Sequence, residues 1–297
     1  MLDVRRLLVL RAFADRGTIA RAAEALDFTP SAVSQQLAQL QREAGVELFA
    51  KVGRRLELTD AGRTLLERSG ELLSRVQEVE AELAAHSGQV RGTVRIAAFQ
   101  TAARGILVPV LERLAREYPS LRVELLEEEA ETSLPLVARG AIDLAIAEEY
   151  EHAPRPRLPG LEREYLEPDQ MLLALPRDHS AVGNDGPVSL ASLRDQQWAS
   201  ARAGTAYAVM CAGICRSAGG FEPDVRHRAN DLELLLDLVS HGCAALVPSL
   251  GRPERDSRVA VRPISEGHFS RAIFVALRAS DRLRPSTAAA VELLTAD

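Results

Sequence analysis

The segment Thr29-Pro30-Ser31-Ala32-Val33-Ser34-Gln35 places short hydroxyls and an amide at the start of a predicted helix. Thr29 is a helix-capping type, and Pro30 suits the first helical position, where its missing N–H costs nothing. Val33, Leu37 and Leu40 recur at helical spacing and are expected to face inward. Ser31, Ser34, Gln35, Ala38 and Arg42 are left facing outward. The chemistry such a face can do is recognition rather than bond making. Glutamine pairs bidentately with adenine, and the free amides of a helix start favour phosphate oxygens.

Catalytic chemistry is poorly represented. Serines, histidines and aspartates are present, but no nucleophile elbow, phosphate-binding loop or dinucleotide fingerprint accompanies them. The chain therefore reads as a non-enzyme. Cys211, Cys215 and Cys243 are too few and odd in number for a disulfide framework. Cys211 and Cys215 lie four apart on one predicted helix, so joining them would constrain little, and they read as small core residues. Together with His227 and His241 they match no metal-ligand spacing, and no metal site or cofactor is expected. Glu128, Glu129 and Glu131 form an acidic run. It is either a rim that favours a cationic or amino-bearing ligand or, as is commoner for such runs, a solvated face.

The elements around the first motif are consistent with it. Thr18 can cap a short helix with Ile19, Ala22, Ala23 and Leu26 on its apolar face, and Asp27-Phe28 turns the chain into the helix that Thr29 begins. After Gly45, two short apolar strands flank the basic turn Lys51-Val52-Gly53-Arg54-Arg55. A basic hairpin beside a helix-turn-helix is a wing, whose arginines meet phosphates or the minor groove. Thr59 then caps a long helix in which Leu65, Leu72 and Val79 recur every seven residues. Val76 and Leu83 hold the second seam position, with Ser69 as the gap, and such a seam seeks a partner helix.

From residues 20 to 62 the chain reads ARAAEALDFTPSAVSQQLAQLQREAGVELFAKVGRRLELTDAG, and this resembles the signature of the LysR-type transcriptional regulators. Lys51, Gln41 and Thr18-Ile19 depart from the usual residues of that family. The resemblance implies DNA contacts by Pro30, Ser31, Ser34, Gln35 and the wing residues Arg54 and Arg55. It implies double-stranded promoter DNA as partner, a homodimer or homotetramer built through the linker helix, and contact with RNA polymerase.

The remainder of the chain alternates strands and helices, with strands predicted at 93–98, 121–126 and 143–147, as in a parallel α/β sheet. Residues 92–297 resemble the ligand-sensing module of the same family, with a periplasmic-binding-protein-like, two-lobed α/β fold. The expected layout is a winged helix-turn-helix head at 1–58, a linker helix at 59–88 and an effector domain at 92–297. Its first subdomain takes about 92–165 and 269–297, its second about 166–268, with crossings near 165–168 and 263–269. Candidate cleft residues are Phe99, Gln100 and Thr101, the last as a helix cap, with Glu129, Gly204, Thr205 and Pro248. Helix starts around such a cleft are expected to favour an anion or carboxylate. Ligand identity does not follow.

The bulk composition bounds these readings. The 297 residues suit about two domains, and 46% hydrophobic with 26% charged residues is ordinary globular usage. The net charge of −6 does not advertise a nucleic-acid partner, but residues 1–65 carry ten Lys and Arg against eight Asp and Glu. A mildly basic head on an acidic body is thereby expected. The apolar start at residues 7–10 is broken by Arg11 and lacks a small-residue cleavage site, so it reads as an amphipathic helix of a cytoplasmic protein.

Overall fold

The computed structural model describes residues 1–53, 55–85, 90–183, 186–250 and 257–296. The chain divides into two units, one made chiefly of Met1–Ser87 and the other of Gly88–Ala138 with Ile142–Asp297.

The first unit begins with α1 (Val4–Arg16), α2 (Ile19–Ala25) and α3 (Pro30–Ala44). Side-chain caps start all three: Asp3 accepts from Arg5 N, Thr18 from Arg21 N and Thr29 from Ala32 N. Each such cap contributes about 1 kcal/mol to a short helix. Leu7, Leu10, Phe13, Ala22, Ala23, Val33, Leu37 and Leu40 form one core, as their helical spacing predicts. The small Ala22 and Ala23 are buried within that core. Asp27, at φ 55°, makes the turn between α2 and α3.

The hairpin follows as β1 (Phe49–Val52) and β2 (Arg55–Leu58), in antiparallel register with Phe49 opposite Leu58. Gln41 explains how the hairpin is held. Its Oε1 accepts from Leu48 N at 2.9 Å and Phe49 N at 3.2 Å. The long helix is α4 (Asp60–Ala85), with Thr59 Oγ1 accepting from Gly62 N at 3.1 Å. Gly62 is required sterically, because a Cβ there would run into the carbonyl oxygen of Leu48.

The apolar pattern of α4 serves two purposes. Leu65, Leu66 and Leu73 pack on the head core, and Ser69 is fully buried with its hydroxyl donating to Leu66 O. Leu72, Val76, Val79 and Leu83 are instead exposed, at 51%, 36%, 56% and 67%. Of the seam predicted from Leu65 onward, the exposed part therefore begins at Leu72, since Leu65 packs on the helix's own head and Ser69 is buried.

The second unit opens with β3 (Gly92–Ala98) and α5 (Gln100–Ala102), followed by a π-helical turn at Ala103–Leu107 and α6 (Val108–Glu117). Next come β4 (Leu121–Glu127), α7 (Ala130–Ala138), β5 (Leu144–Tyr150), β6 (Leu161–Tyr165) and β7 (Asp169–Pro176). The second lobe adds β8 (Gln197–Ser200), α8 (Ala206–Ile214), β9 (Asp224–Arg228), α9 (Leu232–Ser240), β10 (Ala245–Pro248) and β11 (Val259–Arg262). The chain returns along β12 (Phe269–Arg278) to α10 (Pro285–Thr295).

β4, β3 and β5 pair in parallel, as their alternation with helices predicts. The complete sheet is mixed, in the order β10-β7-β12-β5-β3-β4, because β12 returns antiparallel to β5, β6 and β7. The lobes are joined where Asp169–Met171 of β7 pairs with Phe269–Arg271 of β12. The return crossing is thus made by the first residues of β12, at the far end of the segment expected from sequence. One face of the first lobe packs Leu107, Val110, Leu114 and Leu294, and the other packs Ala130, Leu134 and Val137. The second lobe buries Trp198, Met210, Cys211 and Cys215 in one cluster and Leu232, Leu235 and Val239 in another. Both cysteines are free thiols in that core.

Candidate functional site

In the head, the α3 side opposite the core exposes Pro30, Ser31, Ser34 and Gln35 together, and Arg55 is exposed on the hairpin. Ser31 Oγ lies 3.0 Å from Thr29 Oγ1. Arg54 lies outside the described residues. The exposed residues combine short hydroxyls, an amide and a guanidinium, the groups that read base edges and grip phosphates.

In the second unit, the carboxyl ends of β3, β4 and β5 deliver side chains to a cleft between the lobes, where open α/β sheets bind ligands. β3 leads into Phe99, Gln100 and Thr101, β4 into Glu129 and Glu131, and β5 ends in Glu148 and Tyr150. The second lobe supplies Thr205, Ala206, Tyr207, Ala229, Asn230, Leu232, Leu235 and Pro248, and β12 supplies Arg271. The space measures about 590 Å³ with its open mouth included. Of the cleft residues expected from sequence, Phe99, Gln100, Thr101, Glu129, Thr205 and Pro248 line it.

Gly204 does not line it; at φ +85° it forms the turn before α8. Thr101 is not a helix cap, because Phe99 holds that position and Thr101 Oγ1 accepts from Arg271 Nη2 at 2.6 Å. Thr205 does cap α8, accepting from Ala208 N and donating to Arg202 O at 2.8 Å. Glu148, Tyr150, Tyr207 and Arg271 were not anticipated. Glu148 and Tyr150 could have been found by following the third predicted strand to its carboxyl end; Arg271 carried no local signal.

Arg271 sits at the lobe junction, paired with Asp169 at 2.7 Å, and each side chain is only 4% exposed. Its guanidinium also lies 4.8 Å over the Phe99 ring. Removing one member of such a buried pair costs about 3–5 kcal/mol, because the other charge is stranded. Arg155 Nη2 reaches Glu148 Oε1 at 2.7 Å and Glu131 Oε1 at 3.2 Å. Glu131 crosses the cleft to accept from Ala206 N at 3.2 Å. Gln100 also bridges the lobes, accepting from Leu232 N at 2.9 Å and donating to Asp231.

Burial, reinforced by the negative charges of Glu148 and Glu131, pushes the Glu129 carboxyl up to about 7. Burial likewise raises Glu148 despite Arg155. For Glu131, burial acts upward but is outweighed by its own backbone N–H, Arg155 and the Ala206 N–H, which hold the carboxyl low. Glu129 has a stability consequence. Between its ordinary value and about 7 the folded chain holds a proton that the unfolded chain has lost, so stability falls as pH rises through that window. Replacing Glu129 with Gln removes this cost. With solvent screening of the half-buried group, we expect E129Q to be about 2 kcal/mol more stable than the parent at pH 8. The difference should vanish at pH 4. Urea unfolding at the two pH values measures it, and a pH-independent difference would contradict the assignment.

The fold and these two surfaces define a class: a winged helix-turn-helix head with an α/β ligand-binding module in one chain. Residues 4–63 match the bacterial regulatory helix-turn-helix family of the lysR type, and residues 87–297 match the LysR substrate binding domain. The chain belongs to the LysR family of transcriptional regulators; it is a DNA-binding regulator with an effector-binding domain, not an enzyme. Among similar proteins, the regulator AlsR of Bacillus subtilis is 27% identical over 84% of this chain and 81% of its own. The activator IlvY of Salmonella typhimurium is 31% identical over 52% of each chain. Full-length OxyR from Pseudomonas aeruginosa shares the fold at TM-score 0.76 and 19% identity, covering 99% of this chain and 97% of that one. Full-length CbnR, solved with its target DNA, does so at TM-score 0.64 and 24% identity, covering 99% of each.

Proposed function

We propose that this regulator is controlled by a small molecule bound between its two α/β subdomains, and that no further cofactor takes part. Pro30, Ser31, Ser34 and Gln35 enter the major groove, while Arg55 and its neighbour Arg54 hold the backbone or minor groove. Two copies pair through the exposed stripe of α4, and pairs of dimers assemble into a tetramer on promoter DNA. The assembly works with RNA polymerase in the cytoplasm. No helix among the described residues is long and apolar enough to cross a membrane. Effector binding changes the angle between the subdomains and, through the linker helices, the spacing of the heads. A ligand shifts such an equilibrium only through unequal affinity for the two states.

The observation that carries this reading is the cleft at the ends of β3, β4 and β5, walled by side chains from both lobes. A footprint on the DNA upstream of the protein's own gene tests it. The parent should protect two-fold-related half-sites, and a low-molecular-mass extract of the host cells should change the extent or bend of the protected region. Ala229→Phe, which fills the cleft, should bind the same DNA without that response. Identical responses of parent and variant would overturn the reading.

A further inference from the structure

Effector clefts of α/β folds commonly offer free helix amides to an anion. Here several of those positions on α8 and α9 are taken by the chain itself. The first N–H of α8, at Ala206, is bonded to Glu131, that of α9, at Leu232, to Gln100, and Leu234 N to Asp231. The cleft's guanidinium is also engaged, since Arg271 serves Asp169 and Thr101. The amides of Ala206, Leu232 and Leu234 are thereby withdrawn from a ligand carboxylate or phosphate, and the Arg271 charge is already matched by Asp169.

Carboxylate is what the cleft has in excess. One oxygen from each of Glu129, Glu131 and Glu148 falls within 4.8 Å of the others. Arg155 engages Glu131 and Glu148, but Glu129 makes no ion pair among the described residues. A second feature is independent of the clustering. Glu148 is 4% exposed, and while Arg155 holds its Oε1, its Oε2 is buried without a hydrogen-bond partner among the described residues. A buried carboxylate oxygen left bare costs several kcal/mol unless a donor arrives. Around these oxygens the walls are apolar and aromatic: Phe99, Tyr150, Tyr207, Leu235 and Pro248. Tyr150 and Tyr207 stand edge to face, their rings 6.4 Å apart.

We propose that the effector of this cleft is a small organic cation, an amine or guanidine on an apolar or aromatic body, whose N–H groups bridge Glu129 and Glu148 Oε2. This rests on the cleft being the effector site. A bare divalent ion fits less well. Calcium and magnesium take six or more oxygen ligands, zinc prefers nitrogen and sulfur among its four, and here Arg155 already holds Glu131 and Glu148. An ammonium needs only two or three acceptors and gains from the aromatic faces. The raised Glu129 carboxyl agrees with a site poised to ionise against an arriving cation.

The test uses the full-length protein with benzylamine and 1,4-diaminobutane, and with benzoate and hexanedioate as probes of similar shape and opposite charge. Calorimetry and thermal unfolding at constant ionic strength read the binding. The amines should bind and raise the Tm, and E129Q should weaken them about tenfold or more. E129Q is isosteric and relieves repulsion, so it keeps the fold. Silence of both amines overturns the cation assignment, as does calcium, magnesium or zinc binding at the carboxylates in their place. Carboxylate probes that bind instead and alter the footprint overturn the cation assignment alone and leave the effector cleft standing. Amines that bind unchanged in both E129Q and Ala229→Phe sit elsewhere and overturn the cation assignment, while the footprint comparison of parent and Ala229→Phe decides the effector cleft separately.

Discussion

With Ser34→Ala and Gln35→Ala combined, sequence-specific DNA affinity is expected to fall about a hundredfold or more, while fold and oligomer stay intact. Both side chains are exposed on α3, and the opposite side of that helix, through Val33, Leu37 and Leu40, is core. Neither substitution touches the Thr29 cap or the core, and alanine is a good helix former. A bidentate glutamine contact is worth about 1–3 kcal/mol, and paired heads lose it twice. Phosphate contacts remain, so weak and strongly salt-dependent binding to any duplex should persist. Fluorescence anisotropy on the protected sequence and on a scrambled duplex separates the two components. If the double variant still preferred the protected sequence by the parent's margin, recognition would lie elsewhere.

The second large effect concerns α4. Val76→Glu with Val79→Glu should convert the oligomer to a species with unpaired heads at micromolar concentration. Leu72, Val76, Val79 and Leu83 form one exposed apolar stripe that continues the line of the buried Ser69, and the buried Leu73 that ties the helix to its head lies off it. Glutamates facing each other across a helix pair add repulsion and desolvation to the lost packing. DNA affinity should drop by roughly two orders of magnitude, because each head then binds without the effective concentration its partner supplied. Light scattering on the purified protein checks the mass, and thermal unfolding checks that the head still folds. An unchanged mass would place the interface on another surface.

The head was the most legible part of the sequence because its determinants are local. A threonine three residues before the amide it caps, apolar residues at helical spacing and a glycine-containing turn between short strands all act within a few residues of themselves. The linker was half legible. Its heptad pattern was real, but periodicity cannot separate an apolar side chain that packs on its own head, such as Leu65, from one left for a partner, such as Leu72. In the α/β module the strands β3, β4 and β5 stood out. The shorter β8 and the polar β9, Asp224–Arg228, did not, because four or five residues without alternation carry no strand signal.

The sequence by itself determined the head helices with their Thr18, Thr29 and Thr59 caps, the wing, the order of the domains and the family. Only the tertiary structure decided the character of the cleft. Glu131 meets Ala206 across 75 residues, Gln100 meets Leu232 across 132, and Arg271 meets Thr101 across 170. Local rules see the acidic run at Glu128, Glu129 and Glu131 as either a solvated face or a binding rim. Folding brings Glu148 of β5 beside Glu129 and Glu131, which follow β4 on the far side of β3, bonds Ala206 N and Leu232 N to the chain's own acceptors, and leaves an excess of buried carboxylate. Charge balance in a cleft depends on which distant side chains share its low-dielectric space, and that is fixed by the closing of the sheet.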